Sequence, residues 1–171
     1  MNLKNDHHSS KLISDFKDSF EGKPWYGDSV IKKLSVINSE IVNLQPLSSF
    51  NSIAKIVHHM INWRVFAIKK MQGDEAFDIQ QNDKNDWTEV HISSREDWDR
   101  LIKKLKASQE QIIMLLSAKG EGFLGEKVLG RGYDFGFLLA GIVQHDIYHL
   151  SQIALVKKWS ENQNESSKTL V

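Results

Sequence analysis

Only two prolines, Pro24 and Pro46, interrupt the 171-residue chain, and both fall between stretches of regular apolar spacing. Proline removes a backbone donor and clashes with the preceding turn, so long proline-free stretches leave the helix open to them. The first candidate helix runs from about Ser10 to Glu21, with Leu12, Ile13, Phe16 and Phe20 at helical spacing, and Gly22-Lys23-Pro24-Trp25-Tyr26-Gly27 breaks it. A shorter helix is expected from Asp28, as N-cap, to about Asn43, closed by Pro46 and Ser48-Ser49. A second long helix should run from about Asn51 to Gln72 and stop at Gly73, burying Ile53, Ile56, Val57, Met60, Ala67, Ile68 and Met71.

The polar link from Gly73 to Ser93 holds Trp87 and a short β-like run, Thr88 to Ile92. It is too long for a tight turn and is expected to cross an end of the bundle. Ser94-Arg95-Glu96-Asp97 is a capping signature for a third long helix reaching about Ala118, with Trp98, Leu101, Ile102, Leu105, Ile112, Ile113 and Leu116 facing inward. After a glycine-punctuated link, a fourth runs from near Asp134 to about Trp159. The expected architecture is therefore all-α: one four-helix bundle domain over residues 10–160, with extended connections, a short extra helix and a connectivity unlike a simple up-down series. A flexible leader is expected over 1–9, with His7 and His8 exposed, and a flexible polar tail over 161–171.

Composition narrows the chemistry. Lys+Arg and Asp+Glu both total 22, which excludes a broad electrostatic footprint for nucleic acid. No stretch approaches the ~18 consecutive apolar residues of a membrane span, and a cytoplasmic location is expected. There is no cysteine, so disulfides, thiolate metal sites and a cysteine nucleophile are excluded. Any thiol chemistry needs a thiol from another molecule.

The fourth helix carries the most informative run, Gln144-His145-Asp146-Ile147-Tyr148-His149. At about 100° per residue, His145 and His149 lie roughly 40° apart, in the sector of Leu138, Ile142, Ile153 and Val156. Burying two imidazoles without a shared partner costs several kcal/mol where their hydrogen bonds go unmade. Residues at i and i+4 stand roughly 5–6 Å apart at Cβ, so the pair can converge on one divalent ion. A third ligand must come from another helix, and the candidates are His58, His59 and His91. His91 lies in the polar link, where a surface role is expected. His58 and His59 flank the second helix's stripe on opposite sides, and periodicity does not choose between them.

Asp146 falls inside the apolar sector and needs a partner, either a ligand histidine's second ring nitrogen or a donor on a facing helix. Tyr148 and Gln152 flank the site, and Trp63 with Phe66 would put an aromatic wall beside His59.

Several segments in order resemble the DinB/YfiT-like family of metal-binding four-helix proteins. These are GKPWYG at 22–27, Ser52 to His59 leading into Asn62-Trp63-Arg64 and Gln72-Gly73, and Gly141 to His149 followed by Gln152-Ile153 and Lys157-Lys158. The resemblance implies one metal ligand on the second helix and two on the fourth, which places the triad at His59, His145 and His149. It also implies frequent homodimers and a range of activities, from thiol-dependent S-transferases to metal-dependent hydrolases. The expected function is a metal-dependent thiol S-transferase or hydrolase acting on a small-molecule substrate, with unassigned catalytic residues. The alternative is a non-catalytic metal- or ligand-binding stress-response protein. All-nitrogen ligation suits zinc, nickel, iron or manganese, and a low-molecular-weight thiol is the expected co-reactant.

Overall fold

The computed structural model describes residues 3–120 and 122–168; the side chains of 3–7 and 164–168, His7 among them, lie outside the described part. Among the described residues five α-helices follow one another: α1 (Leu3–Phe20), α2 (Val30–Ser35), α3 (Ile53–Met71), α4 (Arg95–Ala118) and α5 (Phe135–Lys168). Two short 3-10 turns, Ser39–Ile41 and Phe123–Gly125, complete the regular structure. Among the described residues there is no β-strand, only an isolated antiparallel bridge between Lys127 and Asp134. The all-α expectation holds.

The long helices form a four-membered bundle in which α3 packs on α4 and α5, and α1 packs on the same two. Of the consecutive long helices, only α3 and α4 are close neighbours, so the connectivity departs from an up-down series as expected.

Several boundaries differ from the sequence reading. The stretch expected as one helix over 28–43 is divided into α2 and the 3-10 turn at Ser39–Ile41. Ser29 is the N-cap residue, while Asp28 pairs with Lys32 at 2.7 Å and Lys33 at 3.0 Å. Asn38 ends the continuity, because its side chain accepts from the Glu40 backbone N–H and restarts the chain as a new turn.

At the chain's start, α1 begins at Leu3, inside the expected leader, with His8 exposed. At the far end α5 continues to Lys168 through the expected tail, where no Gly or Pro interrupts it. A Lys157–Glu161 pair at i,i+4 supports that extension.

The signals at Ser94 and Gly73 hold, and the structure adds a cap at Ser52. Ser52 accepts from the Lys55 N–H, and Ser94 from the Asp97 N–H, which caps α3 and α4. Gly73 follows α3 with a φ of 82°, the left-handed conformation that a side chain disfavours.

The 73–93 link does not cross an end of the bundle. It doubles back beside α3: Trp63 meets Asp86, Asn62 meets Thr88, and Lys55 meets Glu89. The β-like run has no strand partner because the Asn43 amide takes its place, accepting from the Ile92 N–H at 3.1 Å and donating to the Ile92 carbonyl at 2.7 Å.

Two apolar clusters make up the core. Met60, Ile61, Leu105 and Leu150 belong to one, and Phe66, Ile112, Leu139 and Val143 to the other. Between them lies a buried polar layer. Arg64 of α3, 1% exposed, pairs with Asp146 of α5 and donates to Gln109 of α4 at 2.8 Å. Gln109 in turn donates to the Phe16 carbonyl of α1 at 2.8 Å, and the guanidinium lies 4.8 Å from the Phe20 ring centroid. One arginine thus ties all four long helices at a single level, and the candidate site occupies the same level.

Candidate metal centre

Helix α3 brings His59 to the bundle wall one turn before Trp63, and α5 brings His145 and His149 on adjacent turns. The Nε2 atom of His145 lies 3.0 Å from Nε2 of His59 and 3.0 Å from Nε2 of His149. Among the described residues this is the group of ligand-type side chains that converges tightly enough to hold an ion, with all three atoms within 4.8 Å of one another. A tetrahedral zinc ion at 2.0–2.1 Å from each nitrogen would set them about 3.3–3.4 Å apart. The two separations from His145 Nε2 lie a few tenths of an ångström from that arrangement.

The hydrogen-bond inventory tests the fit. His59 Nδ1 lies 3.0 Å from both the backbone carbonyl and the carboxylate Oδ1 of Asp86, both acceptors, so Nδ1 carries the proton and Nε2 the lone pair. His149 Nδ1 lies 2.7 Å from Gln152 Oε1, which fixes its tautomer in the same sense when the amide is oriented with that oxygen inward. Two lone pairs therefore aim at His145 Nε2. His145 Nδ1 is buried with no partner, so neither of its tautomers satisfies both ring nitrogens. A cation at the meeting point gives all three lone pairs a partner at once. The donor set fits a divalent metal.

Burial holds these rings neutral, the form that ligates. It depresses His145 to about 3, helped by the neighbouring histidines and Arg64. His149 is lowered to about 4 by burial, against the raising effect of the Gln152 hydrogen bond. His59 is also lowered by burial, with Asp86 opposing.

The other singled-out residues fall as follows. His58 points elsewhere: its Nδ1 meets Thr88 Oγ1 at 2.7 Å, and His91 is exposed. Asp146 makes its ion pair with Arg64 rather than with a ligand histidine; burial pushes its carboxyl up and Arg64 pulls it back. Trp63 donates to Asp86 Oδ1 at 2.8 Å. Tyr148 is exposed, and its hydroxyl accepts from Gln152 Nε2 at 3.0 Å.

Sequence reasoning missed Asp86. It is buried and accepts from the Trp63 indole and the Asn82 N–H while orienting His59. Its neighbour Trp87 stacks on the His59 ring at 3.7 Å and 3°. The one available signal was a carboxylate beside a tryptophan in a long polar link, among many other acids.

The three imidazoles open on a cavity of about 370 Å³ whose other lining includes Trp63, Gln81, Asn82, Trp87, Tyr148 and Gln152. No helix among the described residues is long and apolar enough to cross a membrane. No curated protein and no solved structure matches the chain. A family model described as the DinB superfamily matches residues 30–153, a span that holds all three histidines together with Asp86, Arg64 and Asp146. The chain belongs to the DinB superfamily.

Proposed function

We propose that the chain is a divalent-metal-dependent enzyme that ionises an external thiol and joins the intact thiolate, through its sulfur, to an electrophilic carbon of a small substrate, whose displaced group leaves with the proton. The observation that carries this reading is three convergent ring nitrogens facing a cavity, with no fourth ligand-type side chain joining them among the described residues. Three protein ligands and an open side are the pattern of catalytic rather than structural zinc sites. A bound divalent ion supplies Lewis acidity, favouring a thiolate over a thiol near neutral pH.

The side chains favour thiol transfer over hydrolysis. The Asp86 carboxylate in the cavity wall is engaged by His59, Trp63 and Asn82, and Asp146 is held by Arg64. Neither carboxylate is free to act as a general base on water. A thiol has an ordinary pKa near 8.5 and needs far less help to ionise than water does. The remaining residues orient: Gln152 holds His149, Asp86 holds His59, and the amides of Gln81 and Asn82 offer donors and acceptors to a polar substrate.

Zinc, nickel, iron and manganese all suit the donor set. A small-molecule substrate, a homodimer and a cytoplasmic location, with neither nucleic acid nor membrane as partner, complete the proposal. The test is a screen of low-molecular-weight thiols against model electrophiles with metal-loaded protein. Metal-dependent consumption of thiol, lost in His145→Ala, supports the reading. A bound cobalt ion whose spectrum responds to neither azide nor thiol overturns it in favour of the non-catalytic alternative.

A further inference from the structure

Gly141 lies in the second turn of α5, one turn from Phe137 and one turn from His145. Glycine there is disfavoured relative to alanine, and two ordinary reasons for tolerating it are absent. Its φ is not positive, and a Cβ built on it meets nothing within 4 Å. The bare backbone at Gly141 lines a solvent-open hollow of about 210 Å³, walled also by Trp63, Tyr133, Phe137, Leu138, Ile142 and His145. Apart from the His145 ring, this lining is predominantly apolar. It shares Trp63 and His145 with the cavity over the three histidines, so the two spaces adjoin. An apolar cavity of about 150 Å³ already accepts benzene, so the hollow has room for one ring. Phe137 is 69% exposed, leaving a large apolar surface available on the hollow's rim.

We propose that the hollow over Gly141 is the apolar subsite of the metal centre. It takes an aryl or compact alkyl group carried on the same molecule whose donor atom reaches the three histidines. The inference rests on the metal-dependent reading above. The ligand class is thus amphipathic: a polar end among Gln81, Asn82 and Gln152, and an apolar body against Phe137 and Leu138.

The test uses the cobalt-loaded full chain and two probes, benzyl mercaptan and 2-mercaptoethanol, titrated through the sulfur-to-cobalt charge-transfer band. The readout is the ratio of their dissociation constants. Wild type should favour benzyl mercaptan by about tenfold or more, since burying a ring of that size is worth at least 1.4 kcal/mol. Gly141→Leu should fill the hollow and bring the ratio close to one. Phe137→Ala, a change at an exposed side chain, should lower the ratio without crowding the site. A ratio unchanged in both variants overturns the subsite while leaving the metal centre standing. If wild-type protein forms no cobalt complex, the metal-dependent reading fails and the subsite fails with it.

Discussion

Arg64 and Asp146 close on each other in the middle of the core, and Asp146 directly follows His145 in sequence. The pair fixes how far α3 is shifted along α5, and that register decides whether His59 meets His145 and His149. Removing the arginine strands a buried carboxylate. Arg64→Met is expected to destabilise the metal-free protein by about 3–5 kcal/mol in denaturant unfolding. Arg64→Met combined with Asp146→Leu should recover much of that loss, because no charge is then left unpaired. A double variant as unstable as the sum of the singles would show that the pair is not the coupled unit described.

Single ligand substitutions separate the two adjacent histidines of α3. His59→Ala, His145→Ala and His149→Ala should each weaken zinc binding by orders of magnitude in competition titrations with a chelator. His58→Ala should stay near wild type, since its ring bonds to Thr88. Greater damage from His58→Ala than from His59→Ala would reverse the assignment.

Asp86 acts through His59, and Asp86→Asn weakens the acceptor that holds its Nδ1–H. Loss of such an outer-shell partner typically costs 10–100-fold in metal affinity, and a fall in that range is expected here. Calorimetry with zinc measures it, and unchanged affinity would reduce Asp86 to a loop anchor for Asn82 and Trp63.

Acidity should act on the metal-free protein with a defined sign. His145 and His149 titrate at about 3 and about 4 in the fold against 6.5 ordinarily. Between those limits the unfolded chain binds more protons than the native one, so stability falls as pH falls from about 6.5 toward 4. Above 6.5 these groups contribute no slope. Each histidine adds at most about 1.4 kcal/mol per pH unit. Zinc affinity should not begin to fall at pH 6.5, because His145 and His149 take up protons only near 3 and 4 and burial lowers His59 as well. A decline centred near pH 6.5 would mean ordinary, solvated histidines.

Much of this was legible in the sequence for physical reasons. The long helices show because proline-free apolar periodicity has few other solutions, and Ser94 and Gly73 mark two of their ends. His145 and His149 show because two imidazoles on one apolar face need a common partner. Three features escaped. Asn38 divides the stretch expected as one helix over 28–43 through a local side-chain bond that periodicity does not register. Arg64 stands in the Asn62-Trp63-Arg64 motif, which gives no sign of its partner 82 residues away. Asp86 sits in irregular chain, where position follows from tertiary contacts alone.

X-ray absorption at the zinc edge of the loaded protein tests the central claim most directly. The account predicts three imidazole nitrogens at about 2.0–2.1 Å and a further light-atom ligand, replaced by one sulfur at about 2.3 Å when 2-mercaptoethanol is added. A fourth imidazole, or a spectrum indifferent to the thiol, would contradict it.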